Sequence, residues 1–347
     1  MQFVPVVDSN QKPLMPTTPN RAASWIRSRK ATPFWKKGIF CVRLNQEPSA
    51  REYQDTAIGI DPGSKREGFT VGSDAHQYLN VQTKAVDWVK DAIEVRRNMR
   101  RARRFRNTPC RANRQNRKRG GIPPSTFARW NWKLRIVKWI AKVFPVTHFN
   151  VEDIGAVTKK GQRKWNSSFS PLEVGKKWFY AELRKIATTF TQEGWETYNL
   201  RIGAGLKKSK KKLAETFSAH CVDSYILMRA CFGSYPKPEN EKVLFVTPLR
   251  FHRRQLHMLQ FAEGNLRKSY GGTRSMGITR GTLVQHPKHG LSYVGGSSKS
   301  SISLHSAQTG KRLCQNAKPE DVVILTNLKW RAHSSPCLKA GVSCAKV

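Results

Sequence analysis

An apolar run that ends in an acid, turns at once and returns as a second strand constrains this chain more than any other feature. In TAIGIDPGSKREGFTVGSD (56–74) the run ends at Asp61, Pro62-Gly63 makes the turn, and Gly68–Val71 comes back. That is a β-hairpin with a carboxylate at the end of its first strand. Two later segments deliver acids in the same manner. HFNVEDI is a short buried-type strand ending at Glu152, and Leu213–Cys231 is a helix carrying His220 and Asp223. Carboxylates so distant in sequence converge only if a sheet sets both strands side by side. In an α/β sheet they meet at the rim, where open α/β folds place their sites. Each acid also has a plain structural reading. An Asp before Pro-Gly is a common turn residue, Glu152 can pair with an arginine and has Asp153 as its competitor, and His220 and Asp223 can cap and pair on a helix surface.

Charge indicates the partner. Lys and Arg number 63 against 23 Asp and Glu, a formal net charge of +40 in 347 residues. A surface so cationic repels itself unless a polyanion covers it, so nucleic acid is the default partner. Hydrophobic residues at 38% are too many for a wholly disordered chain, and the length allows about two domains. No apolar run is long enough to span a membrane, and the positive charge is spread widely rather than confined to one amphipathic helix. The N-terminus MQFVPVVDSNQKPLMP lacks the layout of a signal peptide. Seven scattered cysteines with no Cys-x-x-Cys pair exclude a disulfide scaffold and a zinc ribbon. A reducing cytoplasmic home follows, nucleoid-associated when the chain is on DNA.

Five segments are expected. Residues 1–54 form a small basic module with a strand at Phe3–Val7, a proline-broken turn region (DSNQKPLMPTTP), a short helix over Arg21–Lys30 and a strand at Gly38–Leu44. Residues 55–94 hold the acidic hairpin. Residues 95–122 hold an arginine tract with no Asp or Glu between 96 and 119. Residues 123–242 begin with a helix over Ala128–Phe144 that turns Trp132, Ile136, Trp139, Ile140 and Val143 to a core. HFNVEDI follows, then a helix over Pro171–Gln192, a strand over Glu196–Leu200, a lysine-rich loop and the Asp223 helix. Residues 243–347 show short alternating segments (TLVQH, LSYVG, SISLH, VVILTNL), the texture of a small antiparallel barrel or sandwich, ending in a frayed tail at 335–347.

Three carboxylates that converge repel one another unless they hold a cation. Mg²⁺ suits oxygen ligands and keeps positions for water and phosphate oxygens, and Mn²⁺ is its natural substitute. Two such ions about 3.5–4 Å apart are the usual device for in-line phosphodiester hydrolysis. Asp61, Glu152 and Asp223 are the expected ligands. His220, three residues before Asp223 and on the same helical face, either joins them or handles the proton of the attacking water.

The order Asp-strand, Glu-strand, His-x-x-Asp helix resembles a known family. IGIDPG with its return strand is similar to the first motif of RuvC-type nucleases, NVEDI to the second and HCVD to the third. The resemblance implies an RNase H-like α/β core. KPLMP at 12–16 resembles the opening module of the transposon-encoded IscB and IsrB proteins, and the arginine tract resembles their bridge helix. The likeness covers roughly residues 1–230; beyond that only texture matches. Between Asp153 and Ala219 there is no histidine and no cysteine, so the HNH nuclease that IscB carries there does not fit. The resemblance is therefore to the HNH-lacking IsrB branch. It implies an RNA-guided nickase that binds a structured guide (omega-type) RNA, opens double-stranded DNA beside a short flanking motif and cuts the displaced non-target strand. The chain is expected to work as a monomer within a ribonucleoprotein.

On a helix, Arg96, Arg97, Arg100, Arg101, Arg103 and Arg104 take most of the circumference, and Arg106 continues the tract. Like charges at i,i+4 destabilise a solvated helix, whereas a helix threaded between RNA and a guide–target duplex satisfies every face. A disordered basic segment is the competing reading. Lys207, Lys208, Lys210, Lys211 and Lys212 are expected beside the nuclease site, drawing in the displaced strand, or as a solvated loop. The C-terminal β-module is the candidate reader of the flanking motif. Trp132, Trp139, Trp178 and Trp195 read as packing residues rather than base-stacking platforms. Two rivals stand beside this reading: a protein-only, junction resolvase-like endonuclease that needs no arginine tract, and a non-catalytic RNA- or DNA-binding protein.

Overall fold

The computed structural model describes residues 3–105, 121–156, 170–250, 259–260, 265–266, 273–298 and 300–334. Arg106, the rest of the tract to residue 119 and the expected tail at 335–347 lie outside the described residues. The class is α/β. The chain divides into two compact units, Met1–Glu52 with Lys242–Val347, and Tyr53–Glu241.

In the first unit, β1 (Val4–Val7), β2 (Pro13–Thr17), β3 (Ala31–Lys36) and β4 (Ile39–Leu44) form a sheet in the order β2-β1-β4-β3. Helix α1 (Pro19–Arg27) packs Ala22, Trp25 and Ile26 against Val4, Val6 and Val42. The proline-rich stretch expected to be only turn contains β2. Its prolines are tolerated because β2 is an edge strand, where a missing N–H breaks no ladder. Pro19 sits in the first turn of α1, where its missing donor costs nothing, and the Thr18 hydroxyl caps the helix by accepting from the Arg21 N–H.

The second unit is built on β5 (Thr56–Asp61), β6 (Arg66–Ser73), β7 (Gln77–Lys84), β8 (His148–Asp153) and β9 (Thr188–Glu193), in the order β7-β6-β5-β8-β9. Strand β6 is antiparallel to β5 and β7, while β5, β8 and β9 run parallel. The hairpin is as expected. Strand β7 was not legible, because QYLNVQTK is polar in composition yet buried on both faces.

Helices α2 (Trp88–Phe105), α3 (Pro124–Ile140), α4 (Pro171–Arg184), α5 (Gly194–Gly203) and α6 (Val222–Ala230) complete the unit. The five core positions expected on the α3 segment are all buried. Burying an aliphatic side chain of that size contributes about 1.5–3 kcal/mol, so this face fixes the helix. Two expectations fail between 171 and 203. Helix α4 ends at Arg184, and the β-branched run TTFTQE becomes β9 rather than more helix. The expected strand at 196–200 is helix α5, begun by a capping box in which the Glu196 carboxylate accepts from the Glu193 N–H at 2.7 Å. The helix expected from Leu213 begins later, as a π-helical turn over Phe217–Cys221 that runs into α6.

Helix α6 lies directly on β5 and β6, and two glycines permit it. A Cβ at Gly59 would stand 1.9 Å from the Ser224 carbonyl oxygen, and one at Gly68 2.5 Å from the His220 carbonyl oxygen. The glycine of IGID is thus a packing residue that brings the third acid to the first.

The C-terminal part of the first unit pairs β10 (Val243–Pro248) antiparallel with Trp330–Ser334. Four of the alternating segments, with Arg312–Ala317, form a five-stranded antiparallel sheet around Val284, Val294, Ile302 and Leu304. Residues 1–52 and 242–347 share one unit, and the Lys37 N–H donates to Thr326 Oγ1 at 3.1 Å across them. No helix among the described residues is long and apolar enough to cross a membrane.

Candidate active site

Register brings the first two acids together. In the parallel pair β5–β8, Ile60 faces Val151, so Asp61 and Glu152 follow as neighbours at the ends of adjacent strands. Helix α6 adds Asp223, and the π-helical turn before it adds His220. Asp61, Asp223 and His220 are 4%, 2% and 8% exposed. Asp153 is not part of this group. Its carboxylate turns to α4, accepting from the Tyr180 hydroxyl at 3.0 Å and from Lys176 at 2.7 Å. Glu152 is the acid at the rim.

Both nitrogens of His220 are engaged. Nδ1 lies 2.9 Å from Asp61 Oδ2 and Nε2 lies 2.9 Å from the Lys212 carbonyl oxygen. A carbonyl oxygen only accepts, so Nε2 carries a hydrogen and His220 orients Asp61. Asp223 is held through both oxygens, Oδ1 by Arg201 Nη1 at 2.5 Å and Oδ2 by Lys208. The same Lys208 ammonium is 4.0 Å from Asp61 Oδ2. Lys208 is therefore the local counter-ion of the carboxylates rather than one more free cation of the loop, whereas Lys207, Lys210, Lys211 and Lys212 are exposed. Arg201 went unseen in the sequence. It follows a segment read as strand, and no motif marks it.

Burial raises the Asp61 carboxyl, but the His220 bond and the Lys208 charge outweigh it and hold the group below the usual carboxylate range. Glu152 moves the other way. Burial first, then the charge and hydrogen bond of Asp61 and the charge of Asp223, push its carboxyl up to about 8. Burial opposes the Lys208 ammonium, yet Asp61 and Asp223 together raise it above the ordinary lysine value. Three acids thus act on one another with too little positive charge among them, the condition a divalent cation relieves.

The donor chemistry fits such an ion. Asp61, Glu152 and Asp223 supply hard oxygen ligands, and Gln192, opposite Glu152 in the β8–β9 register, buries Oε1 with no hydrogen-bond partner. Among the described residues, however, no three His, Cys, Asp or Glu side chains are gathered tightly enough to form a finished metal cage. Arg201 and Lys208 hold the oxygens of Asp223 instead.

The arginine tract begins on α2. From Glu94 to Phe105 every residue whose side chain is described is exposed, including Arg96, Arg97, Arg100, Arg101 and Arg104, and Met99 and Phe105 are exposed with them. A helix that is polar all round buries no stripe of its own. Arg100–Arg104 reads RRARR.

A family model described as RRXRR protein matches residues 4–166. The stretch spans the N-terminal module, the acidic hairpin, the arginine helix and Glu152. No curated protein matches. Among solved structures, Thermus thermophilus RuvC in complex with a Holliday junction substrate aligns at 10% identity and a TM-score of 0.29, covering 52% of this chain and 97% of that one. A second T. thermophilus RuvC structure aligns at 12% identity and a TM-score of 0.24, covering 52% and 98%. The yeast mitochondrial Holliday junction resolvase Ydc2 aligns at 12% identity and a TM-score of 0.26, covering 52% and 78%.

Proposed function

We propose that this chain is a RuvC-type, divalent-metal-dependent DNA endonuclease that works as an RNA-guided nickase of the IsrB kind. The observation that carries the reading is the convergence of Asp61, Glu152 and Asp223 from two adjacent parallel strands and one helix, with Lys208 reaching both Asp61 and Asp223.

Asp61, Glu152 and Asp223 would hold Mg²⁺, or Mn²⁺ in its place, and such an ion would supply the Lewis-acid chemistry of in-line phosphodiester hydrolysis. The chain's own groups prepare the site. His220 fixes the rotamer of Asp61 through Nδ1, and its Nε2 tethers the loop at Lys212. Arg201 and Lys208 hold both carboxylate oxygens of Asp223 in place. Lys207, Lys210 and Lys211 attract the phosphate backbone of the strand to be cut.

The guide enters through α2. From residue 96 to the end of α2 there is no Asp or Glu, and an RNA backbone on one side with a hybrid duplex on the other accounts for a helix so densely cationic. The N-terminal module (1–54) and the C-terminal β-rich part (243–347) are assigned to guide and flanking-motif recognition.

The test is a strand-labelled duplex with a randomised flank, incubated with the chain co-expressed with its RNA, before and after ribonuclease treatment. Nicking of the displaced strand alone, lost with the RNA, is the expected result. Cleavage of branched DNA by the RNA-free chain replaces this reading with a protein-only resolvase, and no cleavage of either substrate leaves a cationic binder.

A further inference from the structure

Four tryptophans read in sequence as packing residues, and three of them are not exposed. Trp132 and Trp139 are 2% and 1% accessible, and Trp178 is half-buried against Phe127. Trp195 is 65% exposed, and it is not alone. Tyr198 and Ile202, each 54% exposed, follow it at i+3 and i+7 on α5, so the three form one stripe along the helix. Its neighbouring flank is the buried one, Thr197 and Arg201. A ten-residue helix with a large aromatic stripe in water displays a surface that ordinary packing does not explain.

The stripe lies against the candidate active site. Helix α5 begins where a Cβ on Gly194 would stand 3.2 Å from Glu152 Oε1. Near its end, the Arg201 guanidinium sits 5.3 Å from the centre of the Tyr198 ring, while its Nη1 bonds Asp223. The loop that leaves the helix exposes Lys207, Lys210, Lys211 and Lys212. The two acids of the first turn, Glu193 and Glu196, face the helix's own N–H groups in the capping box.

We infer that Trp195 and Tyr198 are a base-stacking platform for single-stranded DNA, holding the unpaired strand beside the carboxylates. Exposed aromatics in line, flanked by lysines that follow the phosphates, are the arrangement that binds single strands without reading sequence. Duplex DNA hides its base faces and gains nothing from such a stripe. DNA rather than RNA is the occupant because the helix starts beside Glu152, so the strand it holds is the one presented for cutting. This assignment rests on the nuclease reading for its biological sense but not for its test.

The test is fluorescence anisotropy of labelled dT20, rU20 and a 20-base-pair duplex on the full chain in EDTA, with Trp195→Ala, Tyr198→Ala, Trp195→Phe and Asp61→Asn. The alanine changes are at exposed positions, and thermal melts verify the fold. The expected result is at least a fivefold loss of dT20 affinity in each alanine variant, an unchanged salt slope, duplex binding within twofold of wild type, and recovery in Trp195→Phe. Equal dT20 affinity in the alanine variants overturns the inference, as does an equal loss on duplex. So does a Trp195 dependence seen only with rU20, which makes the occupant RNA, or a wild-type dimer that Trp195→Ala converts to monomer, which makes it a second copy. Asp61→Asn separates the two ideas. Full nicking by that variant defeats the carboxylate reading while leaving the dT20 result untouched.

Discussion

Asp61 and Glu152, neighbours across the parallel pair β5–β8, titrate in opposite directions. His220 and Lys208 hold the Asp61 carboxyl down, and burial together with the Asp61 charge pushes Glu152 up to about 8.

That division sets a pH dependence. The folded Glu152 carboxyl sits above its unfolded value, so the folded chain binds the extra proton between about pH 4.5 and 8. Its contribution to stability is complete below pH 4.5 and is lost as pH rises through 8. In EDTA the wild-type melting temperature should therefore fall across this window by more than that of Glu152→Gln, which has no proton to lose. Mn²⁺ binding, which needs the carboxylate, should tighten over the same range.

Lys208 is the cation that reaches both Asp61 and Asp223. Lys208→Ala leaves Asp223 with Arg201 alone and Asp61 with His220 alone. The variant should melt lower than wild type in EDTA, gain more melting temperature from Mn²⁺, and so approach wild type in excess metal. Equal gains in the two proteins contradict a shared position for ammonium and metal.

Glu67 and Lys133 form a buried ion pair at 2.8 Å, 0% and 4% exposed at their side chains, with Thr83 also donating to Glu67. Removing one partner leaves an uncompensated buried charge, at a cost of about 3–5 kcal/mol. Lys133→Met should lose roughly that much in urea unfolding, and the double change Lys133→Met/Glu67→Leu should recover most of it.

Gly59→Ala drives a methyl into the backbone of α6 at Ser224 and Met228. Helix α6 must lift from β5 and carry Asp223 from Asp61, so both stability and nicking should fall, with a loss of about 3 kcal/mol or more. Gly203→Ala, where nothing lies within 4 Å, is the control and should be neutral or slightly stabilising.

The acids were legible in sequence because each ends an apolar run or sits on a helix beside a histidine, and apolar periodicity reports strands and buried faces directly. Strand β7 was not, since it buries amide side chains that donate to carbonyls elsewhere in the chain: Asn80 to that of Asn240 and Gln82 to that of Ala214. Helix α5 was misread because its apolar residues face water, so their spacing reports a surface rather than a core. That same misreading hid Arg201, whose role depends on a contact 22 residues away. Lys208 was visible as charge, but a lysine among lysines carries no sign of which one turns inward.

The most direct measurement is the nicking rate of strand-labelled target duplex in Mg²⁺ by the RNA-loaded wild-type chain and by Asp61→Asn, Glu152→Gln and Asp223→Asn, with DNA binding followed in parallel. The account predicts that each single change lowers nicking by about a thousandfold or more, in the range seen when a group central to transition-state charge is removed, while binding stays within a few fold. Wild-type nicking by any one of the three contradicts a single carboxylate centre.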